Sequence, residues 1–175
     1  SGFGYGTDCA AQHGTVLGDM LNGYVSVYVR HVFRIDNPAA VTSMVLTMDY
    51  DDGFVAYING HEVGRSNVVG TPPTNTQLAT ADHECSSCNS TCNAPETFTV
   101  TLGTAQLVAG DNVLAIQAHN LTAGSSDFTL IPTLSATTAG CTTNAQCDDN
   151  NLCNGLETCV ATVCQAGTAL NCDDG

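Results

Sequence analysis

The sequence contains no lysine and no tryptophan, and its three strongly basic residues are Arg30, Arg34 and Arg65. Against 17 acidic residues this gives a formal net charge of −14. Such a chain has no basic patch to neutralise phosphates, which excludes nucleic acid and anionic membrane surfaces as partners. No apolar run approaches the roughly 20 residues of a membrane-spanning helix. Helical periodicity is missing as well, since no segment repeats apolar residues at i, i+3, i+4 and i+7. Neither a nucleophile motif, nor a phosphate-cradling glycine loop, nor a cofactor fingerprint is found. The chain opens at Ser1 with no initiator methionine, and is expected to be a mature secreted chain whose leader has been removed.

What the sequence does have is alternation. In residues 24–35, "YVSVYVRHVFRI", Val25, Val27, Val29, Phe33 and Ile35 share one face, and Ser26, Tyr28, Arg30 and Arg34 the other. "SMVLTMDY" repeats the pattern with Met44, Leu46, Met48 and Tyr50, and "FVAYI", "TFTVTL", "NVLAIQAHN" and "DFTLIPTL" follow between turn residues. Short alternating runs punctuated by Gly, Pro, Asn and Asp predict an all-β fold, an antiparallel β-sandwich, over residues 1–134. The alternation puts His31 on the inward face of its strand and His119 on an outward one. Small polar residues at 135–140, "SATTAG", predict a linker.

Beyond the linker, residues 141–175 carry six of the ten cysteines and almost no large apolar side chains. A segment this small cannot build an adequate core, so Cys141, Cys147, Cys153, Cys159, Cys164 and Cys172 are expected to form disulfides in an oxidising compartment. Fifteen pairings are possible, and sequence cannot choose among them. In the first domain, Cys85, Cys88 and Cys92 stand in "HECSSCNSTC" beside His83. A Cys₃His zinc site is one reading. Two disulfides, with Cys9 as the fourth cysteine, is the one preferred in an oxidising environment.

The stretch "DYDDGFVAYINGHEVG", residues 49–64, concentrates acidic residues around an apolar run. Asp51-Asp52-Gly53 reads as a short hairpin loop with Gly at a positive-φ position, and Asn59-Gly60 as a two-residue hairpin turn. The second turn would set His61 opposite Ile58 and Glu62 opposite Tyr57. Asp52 and Glu62 would then lie roughly 17 Å apart along a strand, at ~3.3 Å per residue. Paired glycosidase carboxylates need about 5–9.5 Å. Turn formation is therefore the expected role of these acids, and the chain is expected to be non-catalytic.

"DDGFVAYINGHEVG", followed by "LVAGDNVLAIQAHN" and supported by "GFGYG" and "SSDF", resembles the jelly-roll modules of the galactose-binding-like superfamily. These include sugar-binding sandwich domains of family 2 glycosidases and modules of bacterial surface proteins. The resemblance implies a jelly roll that binds carbohydrate, holds a structural calcium, or serves as a spacer. Without tryptophan, the aromatic platforms left for a sugar are Tyr5, Tyr28 and Tyr57, each of which packing would also explain. The tail, with spacing C-x5-C-x5-C-x5-C-x4-C-x7-C, resembles cysteine-rich repeats of secreted and surface proteins of environmental bacteria. "CDDN" at 147–150 and "CDDG" at 172–175 match, as if a further repeat were beginning.

Calcium is the candidate cofactor, because it accepts loosely arranged oxygen ligands in extracellular modules, and solvated turn acids are the other reading of the same carboxylates. The sandwich candidates are Asp49, Asp51, Asp52 and Asp127, with Asn120 as a neutral partner. In the tail they are Asp148, Asp149, Asn150 and Glu157, although the spacing is not that of an EF-hand. Asn89 and Asn120 stand in N-x-Ser/Thr sequons and are candidate glycan acceptors. The expected function is that of an extracellular structural protein, a subunit of a surface filament or lattice built by head-to-tail contacts between identical chains. The alternative is a calcium-dependent carbohydrate-binding module with glycan partners.

Overall fold

The structure is a computed structural model that describes residues 2–7, 10–84, 95–149 and 151–169. Cys9, Cys85, Cys88, Asn89, Cys92, Asn150 and Cys172, singled out in the sequence, lie outside the described residues. Eleven strands are described: β1 (Gly2–Tyr5), β2 (His13–Val16), β3 (Ser26–Ile35), β4 (Val41–Asp51), β5 (Gly53–Ile58), β6 (His61–Ser66), β7 (Glu96–Thr99), β8 (Gly110–His119), β9 (Phe128–Thr138), β10 (Thr158–Val160) and β11 (Val163–Gln165). One sheet has the order β2-β1-β9-β4-β7 and a second the order β3-β8-β5-β6. All pairings are antiparallel except β1 with β2. The fold is all-β, as the alternation predicts.

The inner face of β4 supplies Met44, Leu46, Met48 and Tyr50, every one at most 1% exposed. Facing them are Phe54, Ala56 and Ile58 of β5, with Leu114, Ile116 and Ala118 of β8. Full burial of one such large side chain stabilises the fold by roughly 1.5–3 kcal/mol, so period-two patterning fixes both register and facing. The Asn59-Gly60 turn forms with φ of 51° and 83°, and Ile58 pairs with His61 and Tyr57 with Glu62, as predicted. Asn59 also binds beyond its turn. Its Nδ2 donates to Asn112 Oδ1 at 2.8 Å and its Oδ1 accepts from Val113 N at 3.0 Å, which ties the hairpin to the start of β8.

The other acidic turn is different from the expectation. Asp51-Asp52-Gly53 is not a hairpin loop, because β4 and β5 belong to different sheets and do not pair. It is a corner at which the chain leaves the five-stranded sheet and enters the four-stranded one, through a cis Asp51–Asp52 peptide. Each strand finds other partners: β4 lies between β9 and β7, and β5 between β8 and β6. Gly53 is required for close approach and not for a positive φ. A Cβ there would meet Val68 Cγ2 at 2.9 Å and Ser66 and Asn67 carbonyls at 3.0 Å.

Both histidines keep their expected faces, but their burial is the reverse of what those faces suggest. His31 is exposed, because β3 is an edge strand and its inward face opens at the side of the sandwich. His119 is fully buried. The loop 67–84 folds over the outer face of the four-stranded sheet and covers it, with the Gln77 carbonyl 2.7 Å from His119 Nδ1 and Gln117 Nε2 donating to Thr74 O at 3.3 Å.

Residues 135–138, expected as linker, continue β9 and pair with Val41–Val45 of β4. Their threonines suit an extended strand. The tail is built on the β10–β11 hairpin, held by the disulfides Cys141–Cys159 and Cys147–Cys164, and Cys153 is also disulfide-bonded. Its buried apolar residues among those described are Cys141 and Cys147, so the disulfides are the core of this module. No helix among the described residues is long and apolar enough to cross a membrane.

Candidate cation site

The inter-sheet corner gathers side chains from four stretches of chain. β4 delivers Asp51 and Asp52 at its end; β8 ends one residue before Asn120; β9 begins just after Asp127; and loop 67–84 brings in Glu84. Asp51, Glu84 and Asp127 each place a carboxylate oxygen within 4.8 Å of the others. Asp51 and Asp52 are both 2% exposed and Asp127 is 9% exposed. The acids thus do more than shape a turn: they converge in the interior.

Asp52 and Asp51 are treated differently by their surroundings. The Asp52 carboxylate accepts from Leu121 N at 2.6 Å and from His83 N at 3.1 Å, which fastens the two covering loops to the corner. Burial raises its pKa, opposed by these backbone donors. Asp51 lacks such donors, and its Oδ2 is buried without a hydrogen-bond partner. Burial, reinforced by the charges of Asp52, Asp127 and Glu84, pushes its carboxyl up to about 9. Beside them, Tyr5 donates its hydroxyl to Ser125 O at 2.8 Å and accepts from Asn120 Nδ2 at 3.0 Å. Burial raises its pKa, and the negative charges of Asp51, Asp127 and Asp52 add to the shift. The Asn120 Oδ1 atom is buried and unpartnered too.

Of the sandwich residues expected to bind calcium, the structure groups Asp51 and Asp127, with Asn120 held beside the corner by its bond to Tyr5 and by the bond of Leu121 N to Asp52. Asp52 sits at the corner but is engaged by backbone. Asp49 is buried one residue pair away on β4, outside the three-carboxylate group. The sequence reading missed Glu84, which stands between His83 and Cys85 in a segment whose cysteines dominated its interpretation. In the tail, Asp148, Asp149 and Glu157 also lie within 4.8 Å of one another, but the two aspartates are exposed.

Three other expectations change. Asn120 is fully buried, with its amide nitrogen bonded to Tyr5, so the folded chain has no room for a glycan there. His83 is not free for the zinc reading, because its ring stacks on Tyr50 at 3.9 Å, Nδ1 faces Tyr50 O at 2.9 Å and Nε2 faces Glu96 at 3.4 Å. Glu62 forms a two-pronged ion pair with Arg65, both contacts at 2.6 Å, and this partner holds its carboxyl below the usual range.

No protein-family model matches the chain, and no curated protein matches it. Among solved structures the chain is similar to Streptomyces avermitilis alpha-L-rhamnosidase complexed with L-rhamnose, at 22% identity and a TM-score of 0.44. The match covers 66% of this chain and 9% of that one, so the chain spans less than a tenth of that glycosidase's length. A likeness so remote carries no functional argument. The sandwich implied by the resemblance is present as a fold, whereas no family match supports the resemblance of the tail to a bacterial repeat.

Proposed function

We propose that the chain is a non-catalytic, secreted structural subunit that assembles head to tail, one copy docking its cysteine-rich tail on the open side of the next copy's sandwich. The observation that carries this reading is the groove beside β3. It is a cavity of about 490 Å³ between the sheets, lined by Val29, Phe33, Leu114 and Leu134, with Arg30 and His31 at its rim. Strand β3 has β8 as its only neighbour among the described residues, so alternate residues of this ten-residue strand turn their backbone groups to an open edge. An open strand edge over an apolar slot is a template for another chain.

Charge selects the occupant. Two of the three arginines of a −14 chain, Arg30 and Arg34, lie on β3. The tail presents exposed Asp148 and Asp149 together with Leu156, Val160 and Val163, which are 78%, 46% and 61% exposed. Acidic and apolar groups on the tail complement Arg30 and the apolar side chains of the groove, while Arg34, further along the strand, is paired with Asp36 at 2.7 Å. Such a contact joins unlike surfaces, and it gives an open filament when the rotation does not close.

Sedimentation and negative-stain imaging of the purified chain test this. Wild type is expected to form concentration-dependent polymers. The exposed double substitution Arg30→Glu/Arg34→Glu is expected to disperse them without changing the far-ultraviolet spectrum, weakening association at least about tenfold. Monomeric wild type at high concentration, or polymers indifferent to the charge reversal, would overturn the reading.

A second reading, a calcium-dependent carbohydrate-binding module, draws support from Tyr28. It is 62% exposed on β3, next to Arg30, where a sugar ring could stack. A glycan array run with calcium and with chelator tests it. Binding lost in Tyr28→Ala would support it, and silence across plant, algal and bacterial glycans would retire it.

A further inference from the structure

We propose that the inter-sheet corner is a calcium site whose ligands are the carboxylates of Asp51, Glu84 and Asp127 and the amide oxygen of Asn120. The site is independent of the assembly described above.

Three carboxylates alone would prove little, since acidic clusters are common on proteins. Here Asp51 and Asp127 are buried and Glu84 is half-buried. Asp51 Oδ2 and Asn120 Oδ1 are both buried oxygens with no hydrogen-bond partner among the described residues, in side chains whose residues are 2% and 0% exposed. A buried polar atom left unpaired is costly, and two at one corner point to a missing acceptor of lone pairs. The orientation of Asn120 is set by its neighbour. The Tyr5 hydroxyl spends its proton on Ser125 O, so it can only accept from Asn120, which places Nδ2 on Tyr5 and leaves Oδ1 turned away from it. The chain on either side of the amide is fixed at the same corner, since Leu121 N donates to Asp52 Oδ2 at 2.6 Å and Asp52 N donates to the His119 carbonyl at 3.3 Å.

The chain supplies no arginine or lysine here, although His13, with its Nε2 3.0 Å from Thr129 Oγ1, stands within reach of the Asp127 charge. Arg30 and Arg34 are on β3 and Arg65 is on β6, where it is paired with Glu62. Lysine is absent from the sequence. The charge must therefore be met by protons or by an ion from solvent. Ligand oxygens on opposite sides of calcium stand at most about 4.6–5.2 Å apart, twice a 2.3–2.6 Å bond. The carboxylate oxygens, within 4.8 Å of one another, fit inside that sphere. Calcium also accepts neutral amide oxygens and irregular geometry, whereas magnesium retains its waters and demands a near-ideal octahedron. The ion would join the end of β4, the 120–127 segment between β8 and β9, and the 67–84 loop at one point.

The test uses the whole chain stripped with chelator and titrated with calcium chloride or magnesium chloride, followed by calorimetry and by melting temperature. One strong site per chain is expected for calcium, with a Kd of about 10⁻³ M or tighter, weaker binding of magnesium, and a higher melting temperature. Terbium bound there should show tyrosine-sensitised luminescence from Tyr5. Asp127→Asn and Asp51→Asn, which keep side-chain shape, are each expected to weaken calcium at least about tenfold. Asp149→Asn in the tail is expected to leave that site unchanged. No binding and no thermal shift at about 10 mM calcium, a concentration well above the usual range for extracellular modules, would overturn the proposal. So would binding lost in Asp149→Asn but retained in both corner variants.

Discussion

Phe54→Ala is expected to lower the unfolding free energy by about 3–5 kcal/mol in a denaturant titration, because it opens a large cavity that its neighbours cannot fill. Phe54 is 0% exposed and is the first large side chain after the inter-sheet corner. Its ring meets Tyr50 of β4 edge-on at 4.8 Å and Phe98 of β7 at 5.2 Å. One residue of the four-stranded sheet is thereby packed into two strands of the five-stranded sheet. Tyr50 cannot move to close the space, since its hydroxyl donates to Ser66 at 2.7 Å and its other face carries the His83 ring. The loss would consume a large part of the roughly 5–15 kcal/mol that keeps a domain folded. A measured loss below about 1 kcal/mol would mean that the sheets close over the gap, contrary to the rigid packing inferred for this junction.

In chelator, stability is expected to fall as pH rises from about 4 to 9, with a slope of up to about 1.4 kcal/mol per pH unit from Asp51. The sign follows from the direction of the shift. Burial and the charges of Asp52, Asp127 and Glu84 raise the Asp51 carboxyl from 3.8 to about 9. Between those values the folded chain keeps a proton that the unfolded chain releases. The stabilising contribution is thus complete below the unfolded pKa and is lost as pH climbs to the folded one. Asp52 is shifted in the same direction. His119 works against them on the acid side: burial lowers its pKa, so its contribution is present above about 6.5 and declines below that. Asp51→Asn should remove most of the descending limb while preserving shape. Urea midpoints at three pH values measure it, and an equal slope in wild type and Asp51→Asn would count against the assignment.

Local rules carried the sequence reading furthest. The alternation of Met44, Leu46, Met48 and Tyr50 placed four side chains correctly, and Asn59-Gly60 named its turn, because both depend on near neighbours. The corner at Asp51–Gly53 was misjudged because turn residues look alike whether a chain pairs back on its own strand or crosses to another sheet. Which of the two occurs is settled by β9 and β8, which lie more than 50 residues further along. His31 and His119 failed for a related reason: alternation assigns a face, but burial depends on whether β3 has an outer neighbour and on where loop 67–84 lies. Asp51, Asp127 and Asn120 were legible as oxygen donors from residue type. Glu84 was not, since only the tertiary path of its loop brings it to the corner.

The unbroken run of β9 into the tail has a mechanical consequence. A load applied to the tail enters the sandwich at Thr138 and is carried along β9, which is hydrogen-bonded to β4 from Val41 to Asp51. Tension directed along those strands strains the whole ladder at once, in shear, and does not peel its rungs singly. A strand anchored in this way gives way all at once and not rung by rung.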